Sequence, residues 1–94
     1  DQGVGGAVAA AIGERLARLS GDRQGFAVTH SPQVGSAADR QWRVLKDADA
    51  KGQITSQVAQ LDDGQRLEEI ARMLSGSSIT NEARAAALKL LEAA

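Results

Sequence analysis

Phe26-Ala27-Val28-Thr29-His30-Ser31-Pro32-Gln33-Val34 is the stretch on which the reading of this chain turns. A short apolar run, Phe26 to Thr29, leads into the only histidine of the sequence, and Ser31-Pro32 then opens a helix. The run reads as a short buried strand, weakened by Gly25 and Ala27, which are poor strand residues. Pro32 suits a first helical turn, where its missing N–H has no intrahelical partner to lose, and Ser31 is placed to cap that turn. The helix is short and is expected to end near Ala38-Asp39. A residue at the C-terminal end of a strand points past the sheet edge, which is where open α/β folds bind ligands. An imidazole there can donate a hydrogen bond to a phosphate oxygen, or accept one from water, near neutral pH. On the residues alone, a lone histidine that merely closes a turn is the more economical reading.

Upstream, Val4, Val8, Ile12, Leu16 and Leu19 recur at spacings of four, four, four and three, one apolar stripe on a helix that Ser20-Gly21-Asp22 stops. Gly5, Gly6, Ala7, Ala9, Ala10 and Ala11 make the first half of that helix thin, so it can lie close against a neighbouring backbone. Downstream, Gln41 to Lys46 and Gln53 to Gln60 read as the two strands of a hairpin joined by the polar link Asp47 to Gly52. Trp42 and Val44 share one face of the first strand, and Ile54 and Val58 share one face of the second. Asp62 with Gln65 forms a capping-box pattern ahead of Leu67, Ile70, Ala71 and Leu74, and Ser75-Gly76 closes that helix. Thr80 caps a last helix that turns Ala83, Ala87, Leu90, Leu91 and Ala94 inward.

The bulk properties bound the function. The chain has 94 residues and a net charge of −1, enough for one modest core and without the basic excess of a nucleic-acid-binding domain. Phe26 and Trp42 are its only aromatic residues, so the core must be built from Ala, Val, Leu and Ile. With no cysteine, thiolate metal sites, disulfides and cysteine nucleophiles are excluded. No apolar run approaches the ~20 residues of a membrane span. The sequence opens on Asp1-Gln2-Gly3 without an initiator Met and reads as a piece of a longer protein.

Three weaker patterns resolve to plainer readings. Asp47, Asp49, Gly52, Ile54 and Thr55 imitate an EF-hand loop, but Lys51 stands where an oxygen ligand is needed and Val58 where the bidentate Glu belongs. Gly3-Val4-Gly5-Gly6 lacks the last glycine of a dinucleotide fingerprint, since Val8 stands there, and reads as a tight helix start. Arg40, Arg43 and Lys46 read as a solvated face.

Taken together, Asp1-Gln2-Gly3-Val4-Gly5-Gly6, then Val28-Thr29-His30-Ser31-Pro32-Gln33-Val34, then Ala71-Arg72-Met73-Leu74-Ser75-Gly76 before Thr80, closely resemble the C-terminal end of the RecN family of bacterial DNA repair proteins, in the SMC-like branch of the ABC-type ATPases. Either of the first two motifs alone would be a weaker signal. The resemblance implies an α/β fold: a partial ABC/SMC-type ATPase head lobe with one core strand, an antiparallel hairpin over 41–60 and about four helices, the last of them within 62–94. It matches Asp1, Gln2 and Gly3 to the D-loop, at the interface where two heads sandwich ATP, and His30 to the switch histidine that reaches the γ-phosphate and the attacking water. It further implies ATP and Mg²⁺ as cofactors of the full-length protein, a second head as homodimeric partner, contacts with DNA and with the RecA recombinase, no membrane, and a place in the bacterial cytoplasm at the nucleoid. The P-loop, the ABC signature and the Walker B acidic pair do not occur in this sequence; they are expected in preceding sequence, and the segment alone is expected neither to bind nucleotide tightly nor to hydrolyse it. The alternatives are a head segment of another SMC-type ATPase, or a non-catalytic module whose helices over 62–75 and 80–94 dock a partner.

Overall fold

The computed structural model describes residues 6–94, so the expected D-loop residues Asp1, Gln2 and Gly3 lie outside the described residues. The elements are α1 (Gly6–Leu19), α2 (Pro32–Ser36), β1 (Trp42–Ala48), β2 (Ile54–Gln60), α3 (Asp63–Ser75) and α4 (Asn81–Ala93). This is a small α/β fold with four helices and one two-stranded antiparallel sheet.

The C-terminal helices form where their caps dictate. Asp62 accepts a hydrogen bond from the Gln65 backbone N–H at 2.8 Å, and the Gln65 side chain accepts one from the Asp62 backbone N–H at 3.0 Å, the reciprocal box that satisfies two otherwise orphaned donors. Gly76 ends α3 with φ of 82°, a left-handed conformation that favours glycine, and its N–H donates to Arg72 O. Thr80 caps α4 by accepting from Ala83 N–H at 3.0 Å. The two helices bury Ile70, Ala71, Ala83 and Ala87 against each other, with Leu67, Met73, Ile79, Leu90 and Leu91 closing the edges. Outside the core, Arg84 pairs with Glu68 at 3.0 Å across the same helix pair.

α2 sits on this pair and is met in turn by α1, so the five residues of α2 are the hub of the helical layer. Val34, Gly35 and Ser36 are buried, and a Cβ on Gly35 would stand 3.3 Å from Ile70 Cδ1. α1 approaches through its small residues: Ala9 and Gly13 are buried, and a Cβ on Gly13 would lie 2.9 Å from Gln33 O and 3.3 Å from Val34 Cα. The thin side of α1 is therefore its contact side, as the run of Gly and Ala suggests. The apolar stripe is not. Val8, Leu16 and Leu19 are exposed, Leu19 by 60%, because the spacing of large apolar residues marks a face without saying what covers it, and among the described elements α1 meets only α2.

The hairpin stands away from the helices. Val44 faces Val58 and Ala48 faces Ile54, so Trp42, Val44, Val58 and Ile54 share one side of the ribbon, and that side is exposed. Strand alternation puts Arg43 and Lys46 on opposite sides, so the basic residues form no common stripe. The loop is closed by Asp49, whose carboxylate accepts from the N–H groups of Lys51 and Gln53, both at 2.9 Å, while Gly52 takes φ of 80°. These acceptor positions serve a turn. A radius of gyration of 14.4 Å, against roughly 12 Å for a compact chain of this length, reflects the projection of the ribbon.

The expected core strand is corrected. Phe26 to Thr29 joins no ladder, and Phe26 is 83% exposed and Val28 fully so. A strand needs a neighbouring backbone to pair with, and the only sheet among the described residues is the β1–β2 ribbon.

The α1–α2 contact yields a first test. Gly13→Ala should destabilise the fold by about 1–3 kcal/mol, because the added methyl meets a backbone carbonyl that cannot swing away. Gly64→Ala, where the nearest atom is Asp62 Oδ1 at 3.6 Å, should instead stabilise by about 0.5–1 kcal/mol. Thermal unfolding of both variants beside the parent checks the opposite signs.

Candidate functional site

His30 lies between the extended segment and α2, and its side chain is exposed. What fixes its backbone is the turn that follows. Ser31 N–H donates to Thr29 Oγ1 at 2.9 Å, and the Ser31 hydroxyl accepts from Val34 N–H at 3.4 Å as the N-cap of α2. The same hydroxyl donates to Gln33 Oε1 at 3.1 Å, and Pro32 holds the first helical position. The cap and the proline are those expected from the sequence; the helix ends slightly earlier, at Ser36 with Ala37 as its C-cap.

The other end of α2 depends on a residue that the sequence reading did not single out. Arg66, in the first turn of α3, donates from Nη2 to Gly35 O and Ser36 O, each at 3.1 Å, and to Ala38 O. Its Nε donates to Gln41 Oε1 at 3.3 Å. Gln41 O in turn accepts from Leu61 N–H at 2.9 Å, closing the root of the hairpin. One guanidinium thus ties together the end of α2, the base of the ribbon and α3. Burial pushes the Arg66 pKa down, with Asp63 and Asp39 opposing that shift, and arginine starts so far above neutrality that the group stays cationic. The available signal was its position one turn before Ile70, which puts a cation on the buried face of α3.

A second ionic cluster anchors the ribbon. Glu69 is buried, is hydrogen-bonded by Arg72, and pairs with Arg43 of β1 at 3.4 Å. The hydrogen bonds from Arg72 hold the Glu69 carboxyl below the usual carboxylate range; burial opposes this, and the charges of Arg72 and Arg43 reinforce it.

The structure brings Gly6, the first residue of α1, to the same turn: a Cβ there would lie 3.5 Å from Gln33 Nε2. Gly6 ends the stretch over 1–6 that is expected to form a D-loop and lies beside the segment that carries His30, while Asp1, Gln2 and Gly3 lie outside the described residues. Among the described residues there is no cluster of three or more His, Cys, Asp or Glu that could hold a metal ion. The described site is one imidazole on a doubly braced turn, not a nucleotide pocket.

Comparison with known proteins adds to this geometry. No family model matches the chain. Its whole length aligns at 48% identity with the DNA repair protein RecN of Streptomyces coelicolor, covering 16% of that protein. It aligns at 45% identity over 98% of its length with RecN of Xylella fastidiosa, covering 16%, and at 42% over its whole length with RecN of Vibrio cholerae, covering 17%. The chain belongs to the RecN family. It spans about one sixth of the length of the curated RecN relatives it matches.

The Glu69 cluster predicts a pH dependence. A carboxyl whose folded pKa lies below its unfolded value, about 4.3, contributes stability that is present above that value and lost as pH falls through the folded one. Unfolding followed by Trp42 fluorescence should show the parent losing stability below about pH 4, and Glu69→Gln should flatten the profile in that window. Parallel profiles would remove the cluster as the cause.

Proposed function

We propose that this chain is the C-terminal part of the ATPase head of a RecN-type protein acting in recombinational repair of DNA double-strand breaks, in the bacterial cytoplasm. The observation that carries the reading is whole-length similarity to RecN proteins together with an exposed His30 on a turn braced at both ends. In this reading His30 is the switch histidine: its imidazole hydrogen-bonds a terminal phosphate oxygen and orients the attacking water. Positioning and charge stabilisation of that kind are most of what phosphoryl transfer asks of a protein. Residues 1–6 supply the D-loop at the interface of two heads, and Gln33 lies where α1 and the switch turn meet.

The residues present fit only part of a nucleotide site. His30 and its turn suit a phosphate contact, whereas the described residues build neither a phosphate cradle nor a Mg²⁺ site. The remaining ATP contacts and the Mg²⁺ contacts of the full protein are assigned to sequence beyond this segment, as are its contacts with DNA and with RecA. The exposed Phe26–Thr29 segment is then a strand that takes its ladder partners from the rest of the head. The reading in which α3 and α4 dock a partner finds less support, since their apolar faces are packed on each other and beneath α2.

His30→Ala in the complete protein should leave the fold intact and lower ATP turnover by on the order of 10²-fold or more. Steady-state hydrolysis beside a circular dichroism melt checks both halves of the claim. The isolated segment should show no turnover; hydrolysis by pure segment would count against the division of labour proposed here.

A further inference from the structure

We infer that Arg66 is a positioning residue for His30, acting through α2; the inference rests on the proposed role of His30. A five-residue helix has too few internal hydrogen bonds to hold itself in place. Its N-terminal end is fastened by the local bonds of Ser31 and Thr29, which travel with the turn and cannot anchor it to the domain. The polar anchorage of its C-terminal end to α3 is the Arg66 guanidinium. Gly35 O also accepts from Ala38 N–H at 3.3 Å, but that bond too lies within the segment. Ser36 O and Ala38 O face the same cation.

The geometry makes α2 a lever. Apolar contact with Ile70 holds α2 against α3 without fixing its angle, because dispersion contacts have little directionality. Nη2 of Arg66 supplies the direction, donating to the carbonyls of Gly35, Ser36 and Ala38 while Nε of the same rigid plane holds Gln41 Oε1. Pro32 and the Ser31 cap join the far end of the lever to His30 with little freedom. A small rotation of α2 therefore moves the imidazole, and α1 with it, while leaving the α3–α4 pair in place. Misplacement by about 1 Å at a reacting centre is enough for roughly 10²-fold in rate. Arg66 is also bound to Gln41 at the hairpin root, so the same cation fixes the ribbon relative to the switch turn.

The test uses the complete RecN-type protein carrying this segment, with Arg66→Gln, Arg66→Lys and His30→Ala compared in steady-state ATP hydrolysis. Arg66→Gln should lower kcat by about 10- to 100-fold with KM for ATP within about twofold of the parent, since Arg66 is assigned no contact with nucleotide. Arg66→Lys keeps the charge and donors for the carbonyls but not the separate bond to Gln41, and should give an intermediate kcat at the same KM. Amide hydrogen exchange of the Arg66→Gln variant without nucleotide should be faster over 34–38 and unchanged over α4. Wild-type kcat in Arg66→Gln beside a silent His30→Ala would overturn the inference and leave the reading of His30 standing. Wild-type turnover in His30→Ala would overturn that reading, and the inference with it. If Arg66→Gln fails to fold, Arg66→Lys decides: an intermediate kcat supports the lever, and a parental kcat overturns it.

Discussion

The contact between Arg66 and the end of α2 is the constraint on which the rest of the structure depends. α1 meets only α2 among the described elements, and α2 in turn rests on α3 and α4. Remove the orientation of α2 and the N-terminal helix loses its only seat. Buried carbonyls left without donors are costly, so the guanidinium serves stability as well as direction. A lysine ammonium could meet the carbonyls but not Gln41 at the same time; the planar guanidinium holds the carbonyls through Nη2 and Gln41 through Nε.

Around that point the chain packs with small residues. Among the described residues Ile70 is the one large side chain that is fully buried, and the rest of the core is largely alanine. Such a core gains less from area than one built on aromatics, and depends more on close backbone approach. Gly13 against Gln33 O and Gly35 against Ile70 are where that approach is closest, and both lie on the surfaces of α2. The hairpin has no comparable seat. Its link to the helices is made of long side chains, Arg43 to Glu69 and Gln41 to Arg66, which tolerate a gap that apolar packing would not.

How much of this could be read in advance follows from the range of each signal. Caps are local, so Ser31, Asp62 with Gln65, Gly76 and Thr80 were legible from two to four neighbouring residues, and each stands where expected. The hairpin was legible for the same reason, though its strands extend to Ala48 and begin at Ile54. Burial is not local. The Val8, Leu16 and Leu19 stripe was correctly seen as apolar yet stands exposed, and the Phe26–Thr29 run was wrongly read as buried, because an apolar pattern records which residues seek cover and not what provides it. Arg66 was missed for the opposite reason. A charged residue on a helix is ordinarily solvent-facing, and only three-dimensional placement shows the carbonyls it answers. His30 was singled out by its position before Ser31-Pro32 and by resemblance, and the turn that carries it has the cap expected of it.

The exposed apolar residues and the open histidine have a common explanation under the proposed reading. In a chain that spans about one sixth of its relatives, faces meant for the rest of a head must stand uncovered. Phe26 and Val28 flank the histidine on the side from which a sheet would deliver it. The turn after His30 needs no such help, because Ser31, Pro32 and Arg66 brace it within the segment. His30 is thus carried on a turn braced within this chain, while the apolar segment before it stands uncovered. Under the proposed reading that asymmetry is useful: the braced downstream turn sets the direction in which the imidazole points, and the 26–29 segment, once covered by the rest of the protein, sets how far it reaches.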